Sequence, residues 1–252
     1  PTLIDSTDGR IHTTFNQTIA ATGRLSSINP NLQNIPVKGE WGKEIRKAFV
    51  TPKGTKLVAL DYSQIELRVA AHLSNDRVMV AAFQDGEDIH TRTAAELFKV
   101  KASDVTRDMR RMAKTINFGV LYGMGANSLA ATMGIKREEA QNFIDDYFNG
   151  FAGLAEYLRE TKEQAHGLGY VETLFGRRRY LPELTSGMPY LRAEAERQAV
   201  NHPIQGSAAD IMKMAMIKVT EKLKEFFSHP LDKLGAGSER AKRVEGSKML
   251  LQ

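Results

Sequence analysis

The hydrophobic and polar pattern divides the chain into stretches of different period. Residues 1–35 are polar and rich in Thr, Ser and Asn, with turn signals at "TDG" and "NPN", which predicts irregular structure and short strands. From Lys56, "KLVAL" is a short apolar run that fits a buried strand ending at Asp61, and "SQIELRVAAHLS" restores a helical period. After Gly86 the text reads as mainly helical to about Leu168. It breaks at "YGMGANS" and "TMGIKREE", where Ser128 and Lys136 flank the expected helix starts. "GYVETLFGRRRYLPEL" alternates around Phe175 and Gly176 and predicts a hairpin with arginines crowding its turn. A helical pattern runs from Tyr190 to Asn201, Pro203 is expected to break it, and "GSAADIMKMAMIKVTEKLKEFF" resumes it. "SHPLDKLGAGSERAKRVEGSK" has the composition of an exposed loop, "MLLQ" reads as the start of a strand, and there is no internal repeat.

Composition narrows the possible chemistry. A chain of 252 residues that is 42% hydrophobic is long enough for one large domain or two small ones. Its net charge of +5 suits an anionic partner, although a solvated Lys/Arg surface gives the same balance. With 0 cysteines there is no disulfide framework, thiolate zinc site or cysteine nucleophile, so any metal is held by oxygen or imidazole. The chain opens on Pro1, with neither a signal-peptide core nor an apolar run that spans a bilayer. The expectation is a soluble, intracellular piece of something longer.

Candidate chemistry concentrates in two places. Asp61 follows an apolar run and precedes the polar "YSQ", a usual location for a ligand site at a strand's end; taken alone, it reads better as an N-cap for the next helix. Glu66 lies a little over one helical turn further on. The two acids suit Mg²⁺ held through oxygen, and Glu66 alone would read as a solvated helix glutamate. In "RDMRRMAKTINFGVLYGMG", steps of four from Arg110 reach Lys114, Phe118 and Tyr122, nearly on one helical face. Guanidinium and ammonium a turn apart suit a polyphosphate, and flat rings beyond them suit a sugar and a base. Solvated cations beside core aromatics are the competing account.

Four stretches, in order, carry a resemblance: "TGRLSSINPNLQNIP", "DYSQIELRVAAHLSND", "RRMAKTINFGVLYGMG" and "NHPIQGSAADIMKMAM" closely resemble the palm and fingers of family A DNA polymerases, the bacterial DNA polymerase I type. The likeness covers nearly the whole chain from about Asp8. It implies an α+β fold: a palm with an antiparallel sheet and helices, plus mainly helical fingers, in an incomplete right-hand architecture. Residues 1–75 would be the N-terminal part of the palm, 76–190 the fingers with the nucleotide-binding helix 107–123, and 191–252 the C-terminal part of the palm.

The same resemblance implies roles. Asp61 would be a catalytic carboxylate on two magnesium ions, with the main-chain carbonyl of Tyr62 as a further ligand. Glu66 would be the steric gate against a ribonucleotide's 2′-hydroxyl. Arg110 and Lys114 would grip phosphates, helped by His90 and Gln64; Phe118 would face the incoming sugar, and Tyr122 would stack at the templating position when the fingers open. Arg24, Arg197, Asn201 and Gln205, with Asn31, Gln33 and Asn34, would follow primer and template at the minor groove, where the shared acceptors report base-pair shape rather than sequence.

Family members carry a second catalytic aspartate in a His-Asp-Glu turn after a strand resembling "MLLQ", and this sequence stops at Gln252 before such a turn. Exonuclease carboxylate motifs are not seen, and 228–248 is longer than the connection expected there. The expectation is an enzyme chain, inactive alone, that adds deoxynucleotides to a primer 3′-hydroxyl in replication and repair. Its partners would be primer-template DNA, deoxynucleoside triphosphates and, if the polymerase is split, the missing palm segment; it would be a cytoplasmic, nucleoid-associated monomer with no membrane. The alternatives are a single-subunit RNA polymerase, opposed by a bulky acid at Glu66, and a non-catalytic DNA-binding module.

Overall fold

A computed structural model describes residues 3–37 and 39–228. The fold is α+β: mostly helical, with two small antiparallel sheets among the described residues. Chain contacts divide it into two compact units, 1–62 with 209–252, and 63–208. The expected loop at 228–248 and the "MLLQ" strand lie outside the described residues, apart from the helical backbone at Ser228.

In the first unit, β1 (Thr14–Asn16) pairs with β2 (Ser26–Ile28), Phe15 opposite Ser27. Short strands among turn residues are what the polar N-terminal text predicts. Ser27 is buried and its Oγ accepts the Leu32 N–H at 2.9 Å, while the Asn31 carboxamide oxygen accepts the Gln33 N–H at 3.0 Å. These bonds give the loop after β2 a defined backbone course. A helix the pattern did not announce, α1 (Glu40–Lys47), follows; it is mostly exposed, with acid in its first turn and bases in its last to complement the dipole.

The expected strand at 56–60 does not form. Leu57, Val58 and Leu60 are 54%, 78% and 79% exposed, and the backbone is irregular. A strand needs a neighbour to accept its ladder hydrogen bonds, and among the described residues 56–60 pairs with none. Asp61 therefore does not sit at a strand tip. Nor does it cap the next helix, α2 (Ile65–Ser74), whose N-cap is Gln64 in the left-handed region at φ 54°.

The second unit opens with α2 and continues through α3 (Arg77–Gln84), α4 (Ile89–Phe98), α5 (Arg107–Leu121), α6 (Ala126–Met133), α7 (Arg137–Gly150) and α8 (Ala152–Leu168). Lys136 precedes α7 as expected, and Glu139 accepts its N–H at 3.4 Å. Ser128 lies inside α6 rather than before it, because Gly125 takes the cap. The hairpin is present: β3 (Tyr170–Glu172) pairs with β4 (Arg178–Tyr180) across a turn in which Gly176 has φ 77°. Val171, Leu181 and Leu184 bury against Ala165 of α8 and Ala195 and Ala199 of the next helix.

That last helix, α9 (Pro189–Ser228), runs through Pro203 without ending, against the expected break. The proline removes one N–H, but Ala199, Val200, Ile204 and Ala208 carry one buried stripe across it, and packing on both sides holds the helical course. The core of the unit lies around Leu67, Met79, Ile89, Ile116, Leu121, Leu129 and Leu154, all fully buried.

Candidate functional site

Helix α5 turns its buried stripe, Ala113, Ile116, Asn117, Val120 and Leu121, inward and packs along α4. Thr106 caps it by accepting the Met109 N–H at 3.2 Å. Along the flank of that stripe runs the series stepped by four: Arg110 half-buried, Lys114 exposed, Phe118 and Tyr122 half-buried. The rings of Phe118 and Tyr122 stack at 6.1 Å between centroids, 28° apart in plane. The structure thus brings the four together on one accessible face, and the aromatics are not core residues.

Three further expected residues join this face. The Tyr122 hydroxyl donates to the Glu66 carboxylate, so the acid on α2 reaches the aromatic end of α5. His90 stands on α4 with its ring 5.7 Å from that of Phe118. Gln64 donates weakly from Nε2 to Asp88 Oδ1 at 3.5 Å, and its buried Oε1 has no hydrogen-bond partner among the described residues.

Two residues that the sequence did not single out connect these groups. Asp88 is the N-cap of α4: Oδ1 accepts the His90 backbone N–H at 2.9 Å, and Oδ2 accepts from Arg110 Nε at 2.5 Å. Burial opposes ionisation of Asp88, but the Arg110 guanidinium and the backbone N–H outweigh it and hold the carboxyl below its ordinary range. Asn117 is the other. Thr93 donates from Oγ1 to Asn117 Oδ1 at 2.9 Å, which leaves Asn117 Nδ2 to donate to His90 Nδ1 at 3.0 Å. His90 Nδ1 is then an acceptor and the ring proton sits on Nε2. Burial, then the nearby Arg110 and Lys114 charges, lower the imidazole pKa to about 4 against the pull of Asp88. The ring is a neutral donor at neutral pH. A cap aspartate before "IHT" and a polar residue on the buried stripe of α5 were the available signals.

Among the described residues, the Arg110 terminal nitrogens make no hydrogen bond, although the guanidinium is ion-paired with Asp88 through Nε, and the Lys114 ammonium makes neither a hydrogen bond nor an ion pair, so both can take an anion.

Asp61 and Tyr62 belong to the first unit, where both are exposed, and Asp61 has no hydrogen-bond or ion-pair partner among the described residues. A carboxylate that neither caps a helix nor pairs with a base is suited to a cation. Among the described residues no three His, Cys, Asp or Glu side chains converge as a metal cluster. Arg24, Asn31 and Asn34 are exposed in the first unit and Gln33 is half-buried. Arg197, Asn201 and Gln205 stand four residues apart on α9 in the second. Arg197 pairs with Glu194, and the Asn201 Oδ1 is buried with no partner among the described residues.

The geometry so far describes an α+β protein with a helix face built for an anion at one end and flat rings at the other. The model of DNA polymerase family A matches residues 1–233, and the chain belongs to that family. It is 52% identical over 250 residues to DNA polymerase I, thermostable, of Thermus aquaticus, covering 97% of this chain and 30% of that protein. It is 54% identical over 225 residues to DNA polymerase I of Pseudomonas aeruginosa, covering 89% of this chain and 25% of the relative. It is also similar to the POL domain of Pol1 from M. smegmatis, solved in complex with DNA primer-template and dNTP. That likeness has a TM-score of 0.82 and 51% identity, covering 89% of this chain and 40% of the other. The chain thus spans less than a third of the length of these curated relatives.

Proposed function

We propose that this chain supplies the palm and fingers of a DNA-directed DNA polymerase that extends a primer 3′-end with deoxynucleotides chosen by a template. The observation that carries the reading is the α5 face: Arg110, held by Asp88 through Nε, and Lys114, unpaired among the described residues, then Phe118, then Tyr122 held by Glu66. Residues 1–75 and 191–252 are assigned to the palm and 76–190 to the fingers.

In this reading Arg110 and Lys114 bind the triphosphate, with the neutral His90 and Gln64 donating beside them, and they stabilise charge that develops as the primer 3′-oxygen attacks the α-phosphate and pyrophosphate leaves. Phe118 packs against the sugar, and Glu66 occupies the space a 2′-hydroxyl would need. Asp61 and the Tyr62 carbonyl are the residues that would hold Mg²⁺. That ion, when bound, supplies electrostatic stabilisation of the phosphoryl oxygens. Arg24, Asn31, Gln33, Asn34, Arg197, Asn201 and Gln205 contact primer and template. No helix among the described residues is long and apolar enough to cross a membrane. The place of work in this reading is DNA in the cytoplasm, at the nucleoid, with the protein acting as a monomer.

The test separates template direction from simple affinity. A primer-template ending in a dideoxynucleotide is titrated with the chain by fluorescence anisotropy, with each of the four deoxynucleoside triphosphates in turn. Only the nucleotide complementary to the templating base should tighten the complex, by about tenfold, equivalent to about 1.4 kcal/mol. The matching ribonucleotide should not, which sets this reading apart from an RNA polymerase. Equal effects from all four nucleotides, or from none, would leave a DNA-binding module and refute the polymerase assignment.

A further inference from the structure

We infer that Asp88 is a positioning residue of the triphosphate grip: it fixes the Arg110 guanidinium through Nε and leaves the two terminal nitrogens to the phosphates. This inference rests on the assignment of Arg110 to triphosphate binding.

The anchor is rigid at its own end. Asp88 caps α4, and its Oδ1 is held by the His90 backbone N–H at 2.9 Å, so the carboxylate is fixed by a helix terminus rather than by a flexible stem. The helix it caps packs along α5, which carries Arg110, so both ends of the ion pair stand on one packed pair of helices. Which nitrogen is used decides the meaning of the contact. A guanidinium has two bidentate edges, the terminal pair of nitrogens and the side edge that includes Nε, and a carboxylate on the terminal pair would compete with phosphate for it. Asp88 instead meets Nε, at 2.5 Å, and the N–H groups of the two terminal nitrogens have no partner among the described residues. An arginine loses rotamer freedom when it binds an anion; one already held through Nε has lost most of it beforehand. The charge of Asp88 works against a triphosphate, but it is opposed by Arg110 itself and by Lys114, which leaves the local balance positive.

Calorimetric titration of inorganic triphosphate and of a deoxynucleoside triphosphate into the 252-residue chain tests this, with Asp88→Asn, Arg110→Ala, the double variant and Arg110→Lys. Asparagine caps as well as aspartate, so Asp88→Asn keeps an acceptor for the His90 N–H and α4 stays capped. The melting temperature should hardly move, yet affinity for both ligands should fall by about tenfold, and Arg110→Ala should lose more. In the double variant Asp88→Asn should add less than about twofold, because its effect passes through Arg110. Arg110→Lys cannot hold Asp88 and the phosphates with one ammonium and should bind about as weakly as Asp88→Asn. A ¹⁵N–¹H spectrum gives a signature that capping does not move: an Arg110 Nε–H resonance displaced by its carboxylate partner, returning to the ordinary arginine position in Asp88→Asn. Unchanged or tighter binding by Asp88→Asn while Arg110→Ala weakens it, additive losses in the double variant, or full binding by Arg110→Lys would each overturn the positioning role and leave the triphosphate reading standing. No binding by the unmodified chain would overturn that reading and this inference together.

Discussion

At the scale of single residues, the contact between Tyr122 and Glu66 ties sugar selection to the aromatic end of α5. Shortening Glu66 to alanine removes both the bulk and the tyrosine's acceptor. The preference for deoxynucleotide over ribonucleotide in the primer-template binding assay should drop by about tenfold or more, with some general loss of affinity. Phe118→Tyr adds a hydroxyl beside the sugar, able to replace a hydrogen bond that a dideoxynucleotide lacks, so discrimination against dideoxynucleotides should fall. Unchanged ratios in both variants would remove these side chains from the sugar pocket. His90 gives a pH prediction of different origin. Its folded pKa of about 4 lies below the ordinary 6.5, so between those values the unfolded chain binds the extra proton. The contribution is therefore fully present above pH 6.5 and is lost as pH falls towards 4. Thermal melts from pH 7 to pH 4.5 should show a loss on the order of 2 kcal/mol that His90→Gln largely lacks; parallel curves would show that the imidazole is not held neutral. The cations and rings were legible because a step of four is visible in any text. Asp88 and Asn117 were not, since a capping aspartate and a single amide in an apolar stripe show their purpose only when the helix they reach is in place.

At the scale of elements, Asp76 links helices far apart in sequence. It is buried, caps α3 by accepting the Met79 N–H at 2.9 Å, and accepts the Leu154 N–H in the first turn of α8 at 3.1 Å. One carboxylate thus satisfies donors at two positive helix ends. Asp76→Ala should cost about 2–4 kcal/mol, the sum of two charge-assisted caps in a buried place. Asp76→Asn should cost about half of that, because its NH₂ group faces one N–H. Gly153 reports the same junction from the other side: a Cβ there would lie 2.8 Å from the Asp76 Cα, so Gly153→Ala should destabilise through backbone displacement despite alanine's better helix propensity. Urea melts of the three variants check the ranking, and an Asp76→Ala chain as stable as its parent would remove the junction. This also shows where sequence reading stopped. Helices α2, α5 and α7 and the β3–β4 hairpin follow from period and turn chemistry, which are local. The absent strand at 56–60 and the uninterrupted course of α9 through Pro203 depend on what lies alongside, which no local pattern carries.

At the scale of the whole molecule, affinity for DNA should follow where the charge sits more than how much there is. The chain has 35 basic and 30 acidic residues, an excess of only +5. Many of the bases are already occupied, as in Arg159 between Glu156 and Glu163 or Arg178 with Glu172. Counterion release counts phosphates neutralised at the interface, not net charge, so a nearly balanced protein can still show a steep salt dependence if several cations meet the backbone. Arg24 in the first unit and Arg197 in the second are the assigned contacts best suited to a test. Each substitution by alanine should weaken primer-template binding and flatten the plot of log K against log salt by about 0.9. The two changes should add, because the residues stand in different units. Arg197 leaves Glu194 unpaired when it is removed, so Arg197→Ala paired with Glu194→Gln separates lost phosphate contact from added repulsion: the slope should stay flattened in the double variant while part of the affinity returns. Anisotropy titrations at 50, 100 and 200 mM salt would be the measurement. Slopes that stay at the parent value in both arginine variants would place the DNA elsewhere on the molecule.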